Sequence, residues 1–197
     1  MLQKYIPQAA VEQVYEWLRE YKVHLRISRA RATKHGDYRS PLNGKGHKIS
    51  VNHNLNPYAF LITLVHELAH LIVWENHKNR VSPHGKEWKT IFKNLMQPLL
   101  MEEVFPADIE KVLGKYLRNA KASSGSDTEL TKVLNLYDQV TGFILEDLEE
   151  GSIFRVETGK TFRKGQKLRK RYQCVCLDNN RNYLVNPVAR VTPLDQS

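Results

Sequence analysis

Residues 56–77 read NPYAFLITLVHELAHLIVWENH, and this stretch decides the fold. Asn56 followed by Pro57 is a favourable helix start, because Asn caps the first backbone amides and Pro suits the first helical position. The residues that follow are apolar on most faces of a helix, which is typical of a buried helix. The sequence therefore predicts a core helix over about residues 57–77.

Three polar residues, His66, Glu67 and His70, interrupt this apolar stretch. Two histidines four residues apart lie on one helix face, so their imidazoles can bind a single metal ion at about 2.0–2.1 Å. Glu67 points elsewhere but can reach a water held by that metal, whose lowered pKa lets a carboxylate take its proton. Burying the three side chains without a partner would be costly. The pattern predicts a zinc site.

A catalytic zinc ion takes three protein ligands and a water, so a third ligand is needed. His77 is seven residues beyond His70, which puts it about 10.5 Å further along a continuing helix and out of reach. His84 follows a predicted turn over residues 75–83 and can face back onto the first helix. We favour His84, with Glu87, one turn later, as the alternative.

The remaining patterns before residue 120 predict helices and a small sheet. Apolar periodicity predicts helices over residues 8–21, from Ser82-Pro83 onward and over 109–117. Alternating residues around 23–27 and 47–52 predict two strands, and turn signals lie between them at Gly36-Asp37 and Asn43-Gly44. We expect a small antiparallel sheet ahead of the core helix.

The C-terminal part of the chain has a different composition. Small polar residues over 119–127 predict a linker, and residues 130–137 predict one more helix. From Ser152 onward, β-branched and aromatic residues predict four or five strands, with turn signals at Gly159, Gly165 and Asn179-Asn180. The expected protein is α+β, with a metal-binding domain over 1–120, a linker and short helix over 121–150 and a β-module over 151–197.

The chain has a formal net charge of +9, and its positive charge is densest in that module, where ten basic and three acidic residues lie within 151–197. This density favours a polyanion partner such as nucleic acid. The candidate contacts are Arg163, Lys164, Lys167, Arg169, Lys170 and Arg171. They lie among aromatic residues that suit base stacking, namely Phe154, Phe162, Tyr172 and Tyr183. The alternative is a small barrel with an aromatic core and a solvated basic surface.

Two further features bear on location and on metal content. Only Cys174 and Cys176 are present, so we expect buried thiols rather than a disulfide framework or a second zinc site. The N-terminus lacks the apolar core of a signal peptide, and no run of eighteen apolar residues occurs. We expect a cytoplasmic protein with no membrane partner.

The segment HELAHL at 66–71, followed by PHGKEW at 83–88, resembles the SprT-like metalloproteases, a family that includes the eukaryotic DNA-dependent protease Spartan. The resemblance covers about residues 5–118, including SRAR at 28–31 and ISV at 49–51. It implies a compact zincin-like fold and peptide-bond hydrolysis often linked to nucleic acid. The implied zinc ligands are His66, His70 and His84, with Glu67 as catalytic base.

The chain departs from the pattern of this family in one respect. Many bacterial relatives carry a zinc ribbon with two pairs of cysteines, which the basic β-module is expected to replace here. We expect a protease with one Zn²⁺ ion that acts on protein substrates and is recruited or activated by single-stranded or crosslinked DNA. The alternative is a nucleic-acid-binding or regulatory protein whose zinc is mainly structural. An open fourth coordination position separates the two.

Overall fold

The computed structural model describes residues 2–31, 34–42, 46–118, 120, 127–138 and 142–194. Within it the chain divides into two compact units, residues 1–139 and 140–197. This division falls inside the stretch 121–150 that the sequence predicts as linker and short helix. The predicted turn Asn43-Gly44 lies outside the described residues, as does most of the predicted linker over 119–127.

The helices of the first unit surround a buried central one. They are α1 (Val11–Glu20), α2 (Pro57–His77), α3 (Lys86–Met101), α4 (Ala107–Arg118) and α5 (Thr128–Asn135). Helix α2 has the predicted bounds because the side chain of Asn56 accepts a hydrogen bond from the amide of Ala59 at 2.9 Å. Buried side chains of α3 and of the sheet complete the core around α2.

Three strands form the sheet of the first unit: β1 (His24–Ser28), β2 (Gly36–Arg39) and β3 (Lys48–Asn52). Their order is β1-β3-β2. Strand β2 pairs antiparallel with β3, whereas β1 pairs parallel with β3. The sheet is therefore mixed, and the expectation that it is antiparallel throughout is wrong, because the unpredicted strand β2 takes the antiparallel place beside β3.

Strand β2 begins at Gly36-Asp37, which the sequence predicts as a turn. Gly36 is needed there for a different reason, namely the close approach of β2 to α2. A Cβ atom at position 36 would lie 2.6 Å from Oε1 of Glu67 and 2.7 Å from Cγ2 of Thr63. The glycine marks a contact between sheet and helix instead of a change of chain direction.

Helix α2 is, among the described residues, the one helix long and apolar enough to cross a membrane by length and composition. Its mean hydropathy is 1.4, and 67% of the window is buried inside the protein. The core helix of a water-soluble unit has the same character. Here the buried faces of α2 pack on core residues of the same unit, such as Val51 and Phe92.

The second unit is a six-stranded antiparallel sheet in the order β4-β9-β5-β6-β7-β8. The strands are β4 (Phe143–Ile144), β5 (Ile153–Val156), β6 (Thr161–Leu168), β7 (Arg171–Cys176), β8 (Arg181–Val185) and β9 (Arg190–Leu194). Gly159 and Asn180 lie in turns with positive φ, as their turn signals predict. Together the two units make an α+β protein.

Gly165 does not form the predicted turn, because it lies within β6. The register between β6 and β7 shifts between Lys164 and Lys167, so the strand is irregular there. A Cβ atom at position 165 would lie 2.5 Å from the carbonyl oxygen of Gln173. The absence of a side chain therefore permits the two strands to approach each other.

The contact at Gly36 yields a stability prediction. We expect Gly36→Ala to lower the free energy of unfolding by about 1–3 kcal/mol, because the added methyl group overpacks the boundary between β2 and α2. Gly114→Ala is the matched control, since a Cβ atom there meets nothing within 4 Å. In α4 that change is expected to stabilise by about 0.5–1 kcal/mol. Urea unfolding measures both, and equal stabilities for the two variants would contradict the account.

Candidate metal centre

The first two histidines of the site lie one turn apart on α2. His66 is buried and His70 is partly buried. Their Nε2 atoms are 3.1 Å apart, because residues four apart on a helix stack on the same face. Helix geometry alone therefore places these two nitrogen atoms close enough to bind one metal ion.

The third histidine reaches these two nitrogen atoms because the chain reverses between α2 and α3. Lys78 ends α2 with a positive φ of 54°, and α3 begins after Gly85. The Nε2 atom of His84 lies 3.3 Å from that of His66. Nitrogen atoms bound tetrahedrally at about 2.05 Å from zinc would be about 3.3–3.4 Å apart, so the three imidazoles could hold one metal ion.

The other candidates for the third position lie outside this cluster. Among the described residues, the potential metal-binding group comprises His66, His70 and His84. Glu87 is partly buried, and its Oε2 atom lies 3.2 Å from where a Cβ of Gly85 would be. His77 ends α2 and is not in the group. The structure thus places His84 beside His66 and His70. The identity of the third metal ligand stays a prediction.

Burial determines the protonation of the three imidazoles. Burial, followed by the proximity of His70 and His84, lowers the pKa of His66 from 6.5 to about 3. Burial and then the proximity of His84 lower the pKa of His70 to about 4, and burial lowers the pKa of His84. At neutral pH all three are uncharged, which is the form that binds a metal.

Trp88, in α3, packs against all three histidines, a contact that the sequence did not predict. Its ring centroid lies 4.6 Å from that of His66, 5.6 Å from that of His70 and 4.9 Å from that of His84. Phe92 stacks on Trp88, at 4.9 Å between centroids. The indole forms an apolar wall against which the three imidazoles pack.

Glu67 is held on the sheet side of α2, where it is 8% exposed. The backbone amide of Tyr38, in β2, donates a hydrogen bond to its carboxyl group. Burial, followed by the charge of Asp37, raises the pKa of Glu67 from 4.5 to about 7, against the opposing effect of that amide and of nearby cations. A carboxyl group with such a pKa can accept and return a proton near neutral pH.

The predicted nucleic-acid contacts of the second unit differ in their exposure. Arg163, Arg169, Lys170 and Arg171 are exposed. Lys167 is exposed too, but its ammonium group pairs with Oε1 of Glu146 at 2.7 Å.

Lys164 is a correction to that set, since it is only 5% exposed. Its Nζ donates to the carbonyl oxygens of Glu146, at 3.4 Å, and Leu148. It also lies 4.1 Å from the ring centroid of Tyr172. A buried ammonium group needs such partners, and an ammonium so enclosed does not present itself to a phosphate.

The aromatic residues near these cations divide between core and surface. Phe154 and Phe162 are buried and stack at 5.7 Å between centroids, so these two rings belong to the core of the second unit. Tyr183 is only partly buried. Cys174 and Cys176 are free and buried in the same core, as the sequence predicts.

The third ligand can be tested by two substitutions. We expect His84→Ala to weaken zinc binding by about 10²-fold or more, since it removes one of three converging nitrogen atoms. Glu87→Gln, a partly buried neighbour on the same segment, is the matched variant and should bind zinc as the unmodified chain does. Isothermal titration with zinc measures both affinities. A weakened Glu87→Gln beside an unaffected His84→Ala would reverse the assignment.

Comparison with known proteins identifies the family to which the sequence is similar. The sequence pattern of the SprT-like family matches residues 7–110. Protein SprT of Shigella boydii serotype 18 is 48% identical over 56 residues, or 26% of this chain and 33% of that protein. Protein SprT of Escherichia coli K12 is 55% identical over 42 residues, or 21% and 25%. For Protein SprT of Actinobacillus succinogenes the identity is 46% over 61 residues, or 30% and 35%.

These matches to relatives span only about a quarter to a third of the relatives' length. No solved structure matches the chain. The family pattern, in contrast, extends over more than half of the chain and includes all three histidines and Glu67. On this basis the chain belongs to the SprT-like family.

Proposed function

We propose that this protein is a zinc-dependent metallopeptidase that hydrolyses peptide bonds in protein substrates. One observation carries the proposal: three uncharged imidazoles converge with Nε2 separations of 3.1 and 3.3 Å from His66. On the same helix a carboxyl group has its pKa raised to about 7. Membership in the SprT-like family supports the same reading.

The ligand set favours a catalytic zinc over a structural one. Structural zinc sites are closed by four protein ligands, whereas catalytic sites use three and keep one position open. Within the described ranges, the cluster has three members, all histidines. When bound, zinc would supply a water molecule whose pKa is lowered towards about 7. This favours an enzyme over the alternative of a regulatory protein with a structural zinc.

In this proposal Glu67 moves the proton. Its carboxylate accepts a proton from the attacking water and then donates it to the amine nitrogen of the leaving half of the peptide. Its raised pKa, about 7, suits both steps, because a group with this pKa both accepts and releases a proton readily at neutral pH. His66, His70 and His84 remain uncharged throughout and act as ligands.

Strand β2 offers a place for the substrate. It pairs with β3 on one side and lies at the edge of the described sheet, beside Glu67. An extended peptide can add to such an edge through backbone hydrogen bonds. A core helix that carries the metal ligands beside a mixed sheet also supports a zincin-like fold for the first unit, which we include in the proposal.

We further propose that DNA, single-stranded or crosslinked to protein, binds the second unit. Its sheet exposes Arg163, Arg169, Lys170 and Arg171, and basic side chains of this kind can contact phosphates. DNA–protein crosslinks as the substrate follow from the resemblance to the SprT-like metalloproteases. A cytoplasmic location belongs to the same proposal.

The role of Glu67 can be tested by Glu67→Gln. We expect cleavage of an unstructured protein substrate to fall by about 10² or more, because the amide cannot accept the proton. Zinc content, measured on the same sample, should stay at the level of the unmodified chain, since the histidines are untouched. Unchanged cleavage in this variant would show that Glu67 is not the base.

Nucleic-acid binding can be tested on the full chain with Arg163, Arg169 and Lys170 each replaced by Gln. Each lost phosphate contact should reduce the slope of log K against log salt by about 0.7 for single-stranded DNA, or about 2 for all three. The matched control replaces three exposed lysines of the first unit: Lys4, Lys93 and Lys111. Fluorescence anisotropy at several salt concentrations measures the slopes. An equal effect of both sets would contradict binding at the second unit.

A further inference from the structure

A buried histidine outside the metal cluster joins the sheet to α2. His47, which precedes β3, is 7% exposed. Its Nε2 atom lies 2.7 Å from Oε1 of Glu75 on α2, and its Nδ1 atom lies 3.0 Å from the hydroxyl of Tyr38 on β2. Both ring nitrogen atoms therefore have partners, one on each side of the boundary between sheet and helix.

The direction of these hydrogen bonds follows from the chemistry of the partners. Burial acts in the opposite sense, but hydrogen bonds from Lys78 and His47 lower the pKa of Glu75, so its carboxylate is ionised and can only accept. Nε2 of His47 consequently donates to Glu75, and Nδ1 shares a hydrogen bond with the hydroxyl of Tyr38. Burial and the charge of Glu75 raise the pKa of Tyr38, so the hydroxyl stays protonated.

Packing fixes the ring of His47 in this orientation. It stacks on the ring of Tyr38 at 5.9 Å between centroids and meets the edge of Trp74 at 5.5 Å. Lys78 covers Trp74, with Nζ 3.8 Å from the ring centroid, and pairs with Glu75 at 3.2 Å. The imidazole thus has one available position.

Tyr38 connects this hydrogen-bond chain to the proposed catalytic base. Its hydroxyl binds His47, whereas its backbone amide donates to the carboxyl group of Glu67. Glu67 and Glu75 lie eight residues apart on α2, about 12 Å along the helix axis. Strand β2 is therefore fastened to α2 at two separate points, and Gly36 permits the close approach near Glu67.

We infer that His47 is a positioning residue for Glu67. Together with Glu75 and the hydroxyl of Tyr38, it fixes β2 on α2, so that the amide of Tyr38 holds the Glu67 carboxyl group in one orientation. The inference rests on the proposed function, because that function makes Glu67 the base. Loss of the chain misplaces the base and leaves the three histidines in place, so turnover falls while zinc binding persists.

The test uses Tyr38→Phe in the zinc-loaded full chain, because this change removes the hydroxyl and keeps the ring and the backbone amide. We expect kcat to fall by about tenfold or more, since small misplacements of a catalytic group can cost up to about 10²-fold. KM and zinc content should stay within about twofold of the unmodified values. Tyr137→Phe is the control, because it also loses one hydroxyl hydrogen bond, to Asp108 at 2.7 Å, and should keep kcat.

A second background separates positioning from a general loss of stability. In the Glu67→Gln chain, Tyr38→Phe should cause no further loss of residual cleavage, because the two changes act through the same group. An unchanged kcat in Tyr38→Phe, or an equal loss in the Glu67→Gln background, would overturn the inference.

A measurement that does not depend on catalytic activity tests the inference separately from the proposed function. If the unmodified zinc-loaded chain cleaves nothing, the proposed function fails. Amide hydrogen exchange at residue 38, followed by NMR, then decides on the hydrogen-bond chain. Protection of this amide should fall by about tenfold or more in Tyr38→Phe and stay unchanged in Tyr137→Phe. Equal protection in all three chains would overturn the inference.

Discussion

The burial of a carboxyl group and two imidazoles within the apolar helix α2 is the constraint on which the first unit depends. A buried polar group without a partner costs about 1–3 kcal/mol, so each needs a partner from another element. The amide of Tyr38 in β2 serves Glu67, and His84 from the segment before α3 joins the imidazoles. Trp88 closes the cluster on its apolar side. These partners come from three parts of the chain, which must assemble around α2 together.

Burial of these side chains has a cost in free energy, and it also sets their pKa values. It lowers the pKa values of His66 and His70 to about 3 and 4, so both imidazoles are free of protons at neutral pH. The same burial is the largest cause of the raised pKa of Glu67. Burial therefore lowers the pKa of the imidazoles, which can then bind a metal, and raises the pKa of the carboxyl group, which can then carry a proton. The two shifts are opposite because burial always disfavours the charged form.

Much of this could be predicted from the sequence, and the exceptions have physical causes. The bounds of α2 follow from local signals, the cap at Asn56 and the apolar pattern after it. Strand β2 was not predicted because a glycine such as Gly36 is expected both in a turn and where a helix approaches a strand closely. Only the contact of Gly36 with Glu67, which the fold creates, distinguishes the two cases. The burial of Lys164 was missed for a similar reason, since its partners are backbone carbonyl oxygens that carry no sequence signal. Contacts between segments that are distant in the sequence, such as those of Trp88 with the histidines of α2, likewise cannot be predicted without the fold.

The central claim is that three histidines hold one zinc ion and leave a position open. Zinc K-edge X-ray absorption on the zinc-loaded full chain tests it most directly. We expect three imidazole nitrogen atoms and one further oxygen at about 2.0–2.1 Å, with no sulfur at about 2.3 Å. A fourth protein ligand, a sulfur contribution from Cys174 or Cys176, or a chain that retains no zinc would contradict it.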